Sequence, residues 1–301
     1  MTKTCSELFQ GMDCTIIGNG NEEVAGLAFR SDEVRPNDMF FCIVGTVVDG
    51  HSFAQDAIDR GATSLVAERK VYLADATDVT EVVVSDSRKA MAYASANYYD
   101  NPSRAFSLVG ITGTNGKTTT TYLVEHIASV AGNRCGVIGT VGNKIAGVME
   151  HAERTTPESP DLQKLFARMR DAGCTVVAME VSSHALDLRR TWDTDFAVTA
   201  FTNLTQDHLD YHHTFDDYFE AKALLFSRTT RPAASSPSTA PGGACFAPLH
   251  AAATRSSPRA STSPPRSIRW KSPTRPPAPR RCSRCAGRAS RWSTRSWGAS
   301  T

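Results

Sequence analysis

The run Gly113-Thr114-Asn115-Gly116-Lys117-Thr118-Thr119 follows an apolar stretch ending at Ile111 and opens the amphipathic stretch TTTYLVEHIASVAG. Its residue types suit the binding of a polyphosphate. Glycines let backbone N–H groups approach phosphate oxygens, and a helix N-terminus adds partial positive charge. Lys117 can reach the outer phosphates, and the Thr118 hydroxyl can ligate Mg2+. The general pattern has Gly where Ile111 stands, with Gly110 displaced by one position. A glycine turn that merely joins strand to helix is the plainer alternative, and Gly-Lys-Thr placed directly after a strand speaks against it.

A cradle of this kind needs a carboxylate for its metal, usually at the end of a neighbouring strand. Glu180 closes the apolar run VVAME just before Val181-Ser182-Ser183-His184, although an acid after a strand is also commonly a plain loop residue. The segment TNLTQDHLDYHH, residues 202–213, again follows a strand. His208 could ligate a metal there, with Asp207 or Asp210 orienting it. Helix caps and surface histidines are the alternative, and for His212 and His213 the better one. Lys222 lies inside FDDYFEAKALLF. Taken alone, a lysine on a helix is a solvated cation.

These residues need elements to position them. Up to residue 104, short apolar runs (LAF, MFFCIV, SLVA, VVV) alternate with amphipathic stretches (FAQDAIDRGA, RKAMAYASANYY), which predicts a small mixed α/β domain. Asn101-Pro102-Ser103 ends the helix before it and reads as a linker. From Phe106 the rhythm is strand, loop, helix: FSLVGI, TGTNGKT, TTTYLVEHIASVAG, CGVIGTV, DLQKLFARMRDAG, CTVVAMEV, FAVTAFTNL. That alternation predicts an α/β fold with a parallel sheet covered by helices on both faces, and ligands at the carboxyl ends of its strands. The expected organisation is therefore a mixed α/β domain over 1–104, an incomplete P-loop parallel-sheet domain over 105–228, and a tail over 229–301.

The charge is divided in the same way. Thirteen Lys and Arg and no acidic residue follow Arg228, so residues 1–228 carry 20 basic and 31 acidic side chains, a net of −11 hidden in the whole-chain +2. Eleven of the fifteen prolines lie in the same tail, where apolar periodicity stops, so the tail is expected to be disordered. A basic tail for nucleic acid or acidic lipid is one reading of it. The abrupt change favours the other, a shifted reading frame in a G+C-rich gene. The tail's Cys282-x-x-Cys285 has no second pair nearby and reads as accidental. Nucleic acid is not an expected partner, because the cations are not interleaved with an aromatic stacking platform. The N-terminus has no signal-peptide apolar run, and no stretch reaches the length of a membrane span. A cytoplasmic, monomeric protein without membrane contact is expected. Cys14, Cys42, Cys135 and Cys174 fall in or beside apolar runs and should be core thiols, with no structural disulfides.

Taken together, GTNGKTTT, RTTPES (154–159), MEVSSHAL (179–186) and FTNLTQDHLDYH followed by Ala221-Lys222 resemble the Mur ligase family in order and spacing. SDEVRPNDMFFCIVGTVVDGHSF resembles that family's UDP-binding domain, and the resemblance covers about residues 25–228. It implies an ATP- and Mg2+-dependent amide ligase of peptidoglycan synthesis. The branch it implies adds a third amino acid, meso-diaminopimelate or L-lysine, to UDP-N-acetylmuramoyl-L-alanyl-D-glutamate through an acyl phosphate. TTPES and EVSSHAL argue against the related folylpolyglutamate synthetases and the ligase that adds the terminal dipeptide.

By resemblance, the residues from Gly113 to Thr119 hold ATP, with Lys117 on the phosphates and Thr118 on Mg2+. Glu180 and His208 match metal ligands, and Lys222 matches a carbamylated lysine whose carbamate helps to place Mg2+. Thr155, Thr156, Ser182 and Arg190 match positions that contact the muramoyl-peptide, while Ser31, Asp49 and His51 lie where the uridine diphosphate end binds. Two departures accompany the resemblance. Asp32 stands after Ser31 where the family often has Arg, leaving Arg30 as its candidate substitute. Nothing after residue 228 resembles the family's C-terminal domain, which binds the incoming amino acid, so this chain is expected to have little or no ligase activity, with non-catalytic binding of nucleotide and UDP-muramoyl-peptide as the alternative role.

Overall fold

The computed structural model describes residues 2–45, 48–71 and 78–226. The expectations for the tail over 229–301, including Cys282-x-x-Cys285, lie outside the described residues. The first part of the chain runs through β1 (Lys3–Thr4), α1 (Cys5–Leu8), β2 (Thr15–Ile17), β3 (Glu23–Val24), β4 (Gly26–Ala28), β5 (Asp38–Phe41), α2 (Ala54–Asp59), β6 (Ser64–Ala67), β7 (Thr80–Val83) and α3 (Ser87–Tyr98). Its main sheet has the order β2-β7-β6-β5-β4, parallel throughout except for antiparallel β2. Every residue of β5 and β6 is buried, which explains why these strands read as continuous runs rather than alternating ones.

Helix α3 starts where the Asp86 carboxylate accepts from the Lys89 N–H, and it packs Ala90, Met91 and Ala94 on Met39, Phe41, Val66 and Val82. It ends at Tyr98, and the chain leaves it through Asp100 (φ 62°) and Asn101 (φ 49°), both left-handed, with the Asn101 N–H returning to the Ala96 carbonyl at 2.7 Å. The predicted linker carries the chain out of α3 and through a short 3-10 turn, Pro102–Ala105, before the next strand.

The second part comprises β8 (Ser107–Thr112), α4 (Lys117–Val130), β9 (Cys135–Gly139), β10 (Gly142–Ile145), β11 (Val148–Glu150), α5 (Ser159–Asp171), β12 (Val176–Glu180), α6 (Ser183–Asp187), β13 (Val198–Phe201), α7 (Leu209–His212) and α8 (Phe215–Ala223). The sheet order is β11-β10-β9-β12-β8-β13. Strands β9, β12, β8 and β13 are parallel, with Glu180 beside Ile111 and Phe201 beside Thr112. The carboxyl ends of β8, β12 and β13 are therefore aligned along one edge of the domain.

The parallel sheet expected from the sequence is present, and it carries an antiparallel β9-β10-β11 edge besides. Two residues join β9 to β10, too few for a parallel crossover. Ala146 (φ 48°) and Gly147 (φ 97°) then form a tight left-handed turn into β11. Read linearly, CGVIGTV hides this reversal inside one apolar run.

Helix α5 presents Leu162, Leu165, Phe166 and Met169 at helical spacing to Leu108, Ile138, Val177 and Met179. Because strand side chains alternate, Glu180 points to the opposite face from Met179, where it meets α4. The five described cysteines are free, and among the described residues no helix is long and apolar enough to cross a membrane. Phe166 is wholly buried, its ring 5.7 Å from that of Phe106. Phe166→Ala should cost about 3–5 kcal/mol, read as a lower urea midpoint in equilibrium unfolding.

Candidate functional site

The glycine-rich turn sits between β8 and α4, as the sequence requires. Gly113 has φ 141° and Gly116 φ 82°, backbone conformations that L side chains rarely adopt. A Cβ on Gly113 would also collide with Thr202 Oγ1. Lys117 Nζ donates to the carbonyls of Gly113 and Thr114, both at 3.0 Å, so its charge is folded back over the turn. Burial pushes the Lys117 ammonium below the usual lysine range, opposed by the Glu180 and Asp207 carboxylates.

Asn203, at the end of β13, fastens the turn. Its Oδ1 accepts from the Asn115 N–H at 3.0 Å, its Nδ2 donates to the Asn115 carbonyl at 3.0 Å, and its own carbonyl accepts from the Thr114 N–H at 2.9 Å. Thr202 Oγ1 donates to the same Asn115 carbonyl at 2.6 Å. Read from the sequence alone, Asn203 and Thr202 have no role of their own within this segment. The usable signal was a short polar pair directly after a strand parallel to β8.

Glu180 is buried at the end of β12. Its carboxylate accepts from Thr118 Oγ1 at 2.9 Å, from the Thr140 N–H at 2.9 Å and from Thr140 Oγ1 at 3.2 Å. A Cβ on Gly139 would strike it, so glycine in β9 makes room for the carboxylate. Thr140 was not anticipated from sequence, since it lies in the concealed turn between β9 and β10.

The four residues matched to muramoyl-peptide contacts surround Glu180. Thr156 Oγ1 donates to the Glu180 carbonyl at 2.9 Å and accepts from the Ser182 N–H at 3.2 Å. Thr155 and Thr140 hydroxyls lie 3.0 Å apart. Ser182 caps α6 through the Ala185 N–H. Arg190 Nη1 donates to the Thr156 carbonyl at 3.0 Å, and its Nε lies 2.9 Å from Glu158 Oε1. Glu158, buried in the domain and missed by sequence reasoning, also has Arg154 and Arg88 within 3.6 Å.

Lys222 is one of the largest wholly buried side chains, not the solvated cation that a lone helix position suggests. Its Nζ donates to the Gly113 carbonyl at 2.9 Å and lies 4.4 Å from the Tyr218 ring centre. Burial, reinforced by the nearby Lys117 charge, pushes its pKa down to about 8. His208, with left-handed backbone (φ 52°), sits 6.1 Å from the same Tyr218 ring, and its Nε2 is 3.5 Å from Asp207 Oδ2. His212 is buried, and its imidazole and that of His184 pack within 5.4 Å of each other. Burial is the main reason that both are less basic than an ordinary histidine.

In the first domain, His51 and Asp49 brace a loop. His51 Nε2 accepts from the Glu68 N–H at 3.1 Å, which leaves Nδ1 to donate to Asp49 Oδ1 at 2.6 Å. Arg69, first, and then the His51 contacts hold the Asp49 carboxyl well below the usual range. Ser31 lines a cavity of about 350 Å3 together with Arg30, Asp32, Arg88 and Glu158.

The residues fit a nucleotide and its metal. The turn is fixed in a conformation that only glycine holds easily, and a hydroxyl and a carboxylate already face each other beside it at 2.9 Å. Among the described residues no group of three or more His, Cys, Asp or Glu could hold an ion unaided. A cation here would complete its shell with Thr118 and substrate oxygens, as Mg2+ commonly does.

A parallel sheet whose inner strand runs into this cradle, with a carboxylate on the adjoining strand, defines a P-loop nucleotide-binding α/β protein carrying a second α/β domain. Residues 111–235 match the Mur ligase middle domain and residues 23–111 the Mur ligase family catalytic domain. The chain belongs to the Mur ligase family.

It is 49% identical over 209 residues to the UDP-N-acetylmuramoyl-L-alanyl-D-glutamate--2,6-diaminopimelate ligase of Geobacillus thermodenitrificans, covering 69% of this chain and 42% of the relative. The like-named ligase of Clostridium botulinum is 44% identical over 220 residues, covering 73% and 46%. A solved diaminopimelate ligase structure superposes with a TM-score of 0.63 at 27% identity, over 75% of this chain and 45% of that one. MurF from Acinetobacter baumannii shares the fold, with a TM-score of 0.54 at 19% identity over 75% of this chain and 46% of its own. The chain thus spans less than half the length of the relatives it matches.

Gly113→Ala should lower affinity for a non-hydrolysable ATP analogue by more than tenfold, measured by calorimetry, because the turn must shift away from Thr202. Equal affinity would mean that the turn does not have to keep this shape to bind phosphates.

Proposed function

We propose that this chain carries the ATP-binding and UDP-muramoyl-binding parts of the ligase that adds the third amino acid to UDP-N-acetylmuramoyl-L-alanyl-D-glutamate. One observation carries the reading. Glu180 bonds through its carboxylate to Thr118 of the phosphate cradle and through its carbonyl to Thr156 of the peptide-contacting set. The two substrates would therefore meet across a single residue.

In this reaction a glutamyl carboxylate becomes an acyl phosphate, which replaces a poor leaving group with phosphate, and the incoming amine attacks through a tetrahedral intermediate. The backbone N–H groups at the start of α4 and the Lys117 ammonium hold the polyphosphate against charge repulsion. Mg2+, when bound, supplies Lewis-acid charge, with Thr118, Glu180 and His208 as its candidate protein ligands. Thr155, Thr156, Ser182 and Arg190 orient the dipeptide end, and Ser31, Asp49 and His51 belong to the region for the uridine diphosphate end. The acceptor amine is diaminopimelate, by likeness to the named relatives. A monomer working in the cytoplasm, where its nucleotide substrates are found, completes the reading.

Because the chain spans 42% of its Geobacillus relative, binding without turnover is the second reading. One set of measurements separates the two. Calorimetry with the ATP analogue and with UDP-N-acetylmuramoyl-dipeptide should show binding of both. A chromatographic assay with ATP, dipeptide and diaminopimelate then reports product for the first reading and none for the second. No affinity for either ligand sinks both.

Lys222 should carry a carbamate. Its depressed pKa, about 8 against an ordinary value of about 10.4, leaves a substantial neutral fraction able to add CO2 at mildly alkaline pH. A carbamate carbon resonance from 13C-bicarbonate should grow as pH rises through about 8 and be absent in Lys222→Met. Its absence from the wild-type protein near pH 9 would remove Lys222 from the metal site.

A further inference from the structure

Lys117 and Lys222 hold the phosphate turn by bonds that the proposed chemistry would alter. Lys117 Nζ donates to the Gly113 and Thr114 carbonyls, and a phosphate drawing the ammonium outward would release both. Lys222 Nζ donates to the Gly113 carbonyl, and a carbamate there would keep one N–H where the ammonium has three. Tyr218 reaches the same turn through a group that neither change touches. It stands one helical turn before Lys222 on α8 and is wholly buried. Its hydroxyl lies 3.1 Å from Thr114 Oγ1.

The direction of that bond follows from its neighbours. Thr114 Oγ1 donates its single hydrogen to the Thr205 carbonyl at 3.1 Å, since a carbonyl can only accept, and it accepts from the Thr205 N–H at 3.0 Å. The Tyr218 O–H is therefore the donor, and it takes the second lone pair of the threonine oxygen. The ring is held independently of the hydroxyl. The His212 ring packs 5.3 Å from it, the His208 ring 6.1 Å, and Lys222 Nζ lies 4.4 Å from its centre. Thr214 caps the same helix by accepting from the Asp217 N–H at 3.1 Å. The donor is thus aimed at the turn before any ligand arrives. Asn203 fastens Asn115 from β13, and Tyr218 fastens the preceding residue from α8, the element that also carries Lys222.

We propose that Tyr218 is a positioning residue for polyphosphate binding: its O–H holds Thr114, and with it the phosphate turn, in the ligand-binding shape while Lys117 and Lys222 change partners. This rests on the nucleotide reading given above and adds to it a buried side chain that touches no substrate.

The test is calorimetry on the full chain with the non-hydrolysable ATP analogue and with inorganic tripolyphosphate, which has neither base nor sugar. Tyr218→Phe removes one oxygen and keeps the ring. It should weaken both ligands by the same factor, about twofold to tenfold, as the loss of one neutral hydrogen bond requires. In a Thr114→Val background the same substitution should have no effect, and in Thr114→Ser, which keeps the acceptor, it should have its full effect. Equal affinity of the wild-type and Tyr218→Phe proteins for tripolyphosphate would overturn the assignment and leave the nucleotide reading standing. An undiminished loss in the Thr114→Val background would overturn it too, because Tyr218 would then act on the fold at large rather than through Thr114. If Tyr218→Phe has no cooperative urea transition it has misfolded, and Thr114→Val alone decides: weaker tripolyphosphate binding supports the proposal, and unchanged binding overturns it. A wild-type protein that binds neither ligand overturns both the assignment and the nucleotide reading.

Discussion

One backbone carbonyl, that of Gly113, accepts from two ammonium groups, Lys117 at 3.0 Å and Lys222 at 2.9 Å. Two like charges brought to one oxygen in a buried setting repel, and the less solvated of them gives way. Lys222, wholly buried, has its pKa pushed down, while Lys117 keeps the partial access that a phosphate ligand needs. The shape of the glycine turn therefore governs more than phosphate access. It brings the Lys117 charge near a lysine more than a hundred residues away in sequence, whose pKa burial first and that charge second push down.

That arrangement depends on the order of the strands. β8 lies between β12 and β13, so the ends of three strands converge on the turn. From β12 comes Glu180, locked by Thr118 and Thr140. From β13 come Thr202 and Asn203, which close around Asn115. The chain then loops through His208 to α8 and delivers Lys222 from above. Each of these contacts is short and polar, so the site is pre-organised before any ligand arrives.

Electrostatic imbalance recurs around Glu158. Glu158 gathers Arg88, Arg154 and Arg190 but cannot neutralise them. In the first domain the opposite holds. Asp49 is matched by Arg69 and His51, and Arg30 by Asp32 and Glu33, so those groups brace the loops. Saturated pairs thus build the walls of this protein, and the unequal sharing is confined to Glu158 among the groups named here.

The sequence by itself determined the glycine-rich turn between strand and helix, the carboxylate at the end of a neighbouring strand, the α/β alternation and the family resemblance, because each is a local pattern of glycine placement, strand ends or residue order. The break after α3 at Asn101 was legible for the same reason. Only the tertiary structure decided the reversal at Gly139 to Gly142, the grip of Asn203 on the turn, the burial of Lys222 and the sharing of Glu158 by three arginines. None of these is local, since each depends on which strand lies beside which and on how much water is excluded between them. Lys222 makes the difference plain: its position on a helix is written in the sequence, but its lowered pKa comes first from burial and then from the nearby Lys117 ammonium, and only folding supplies either.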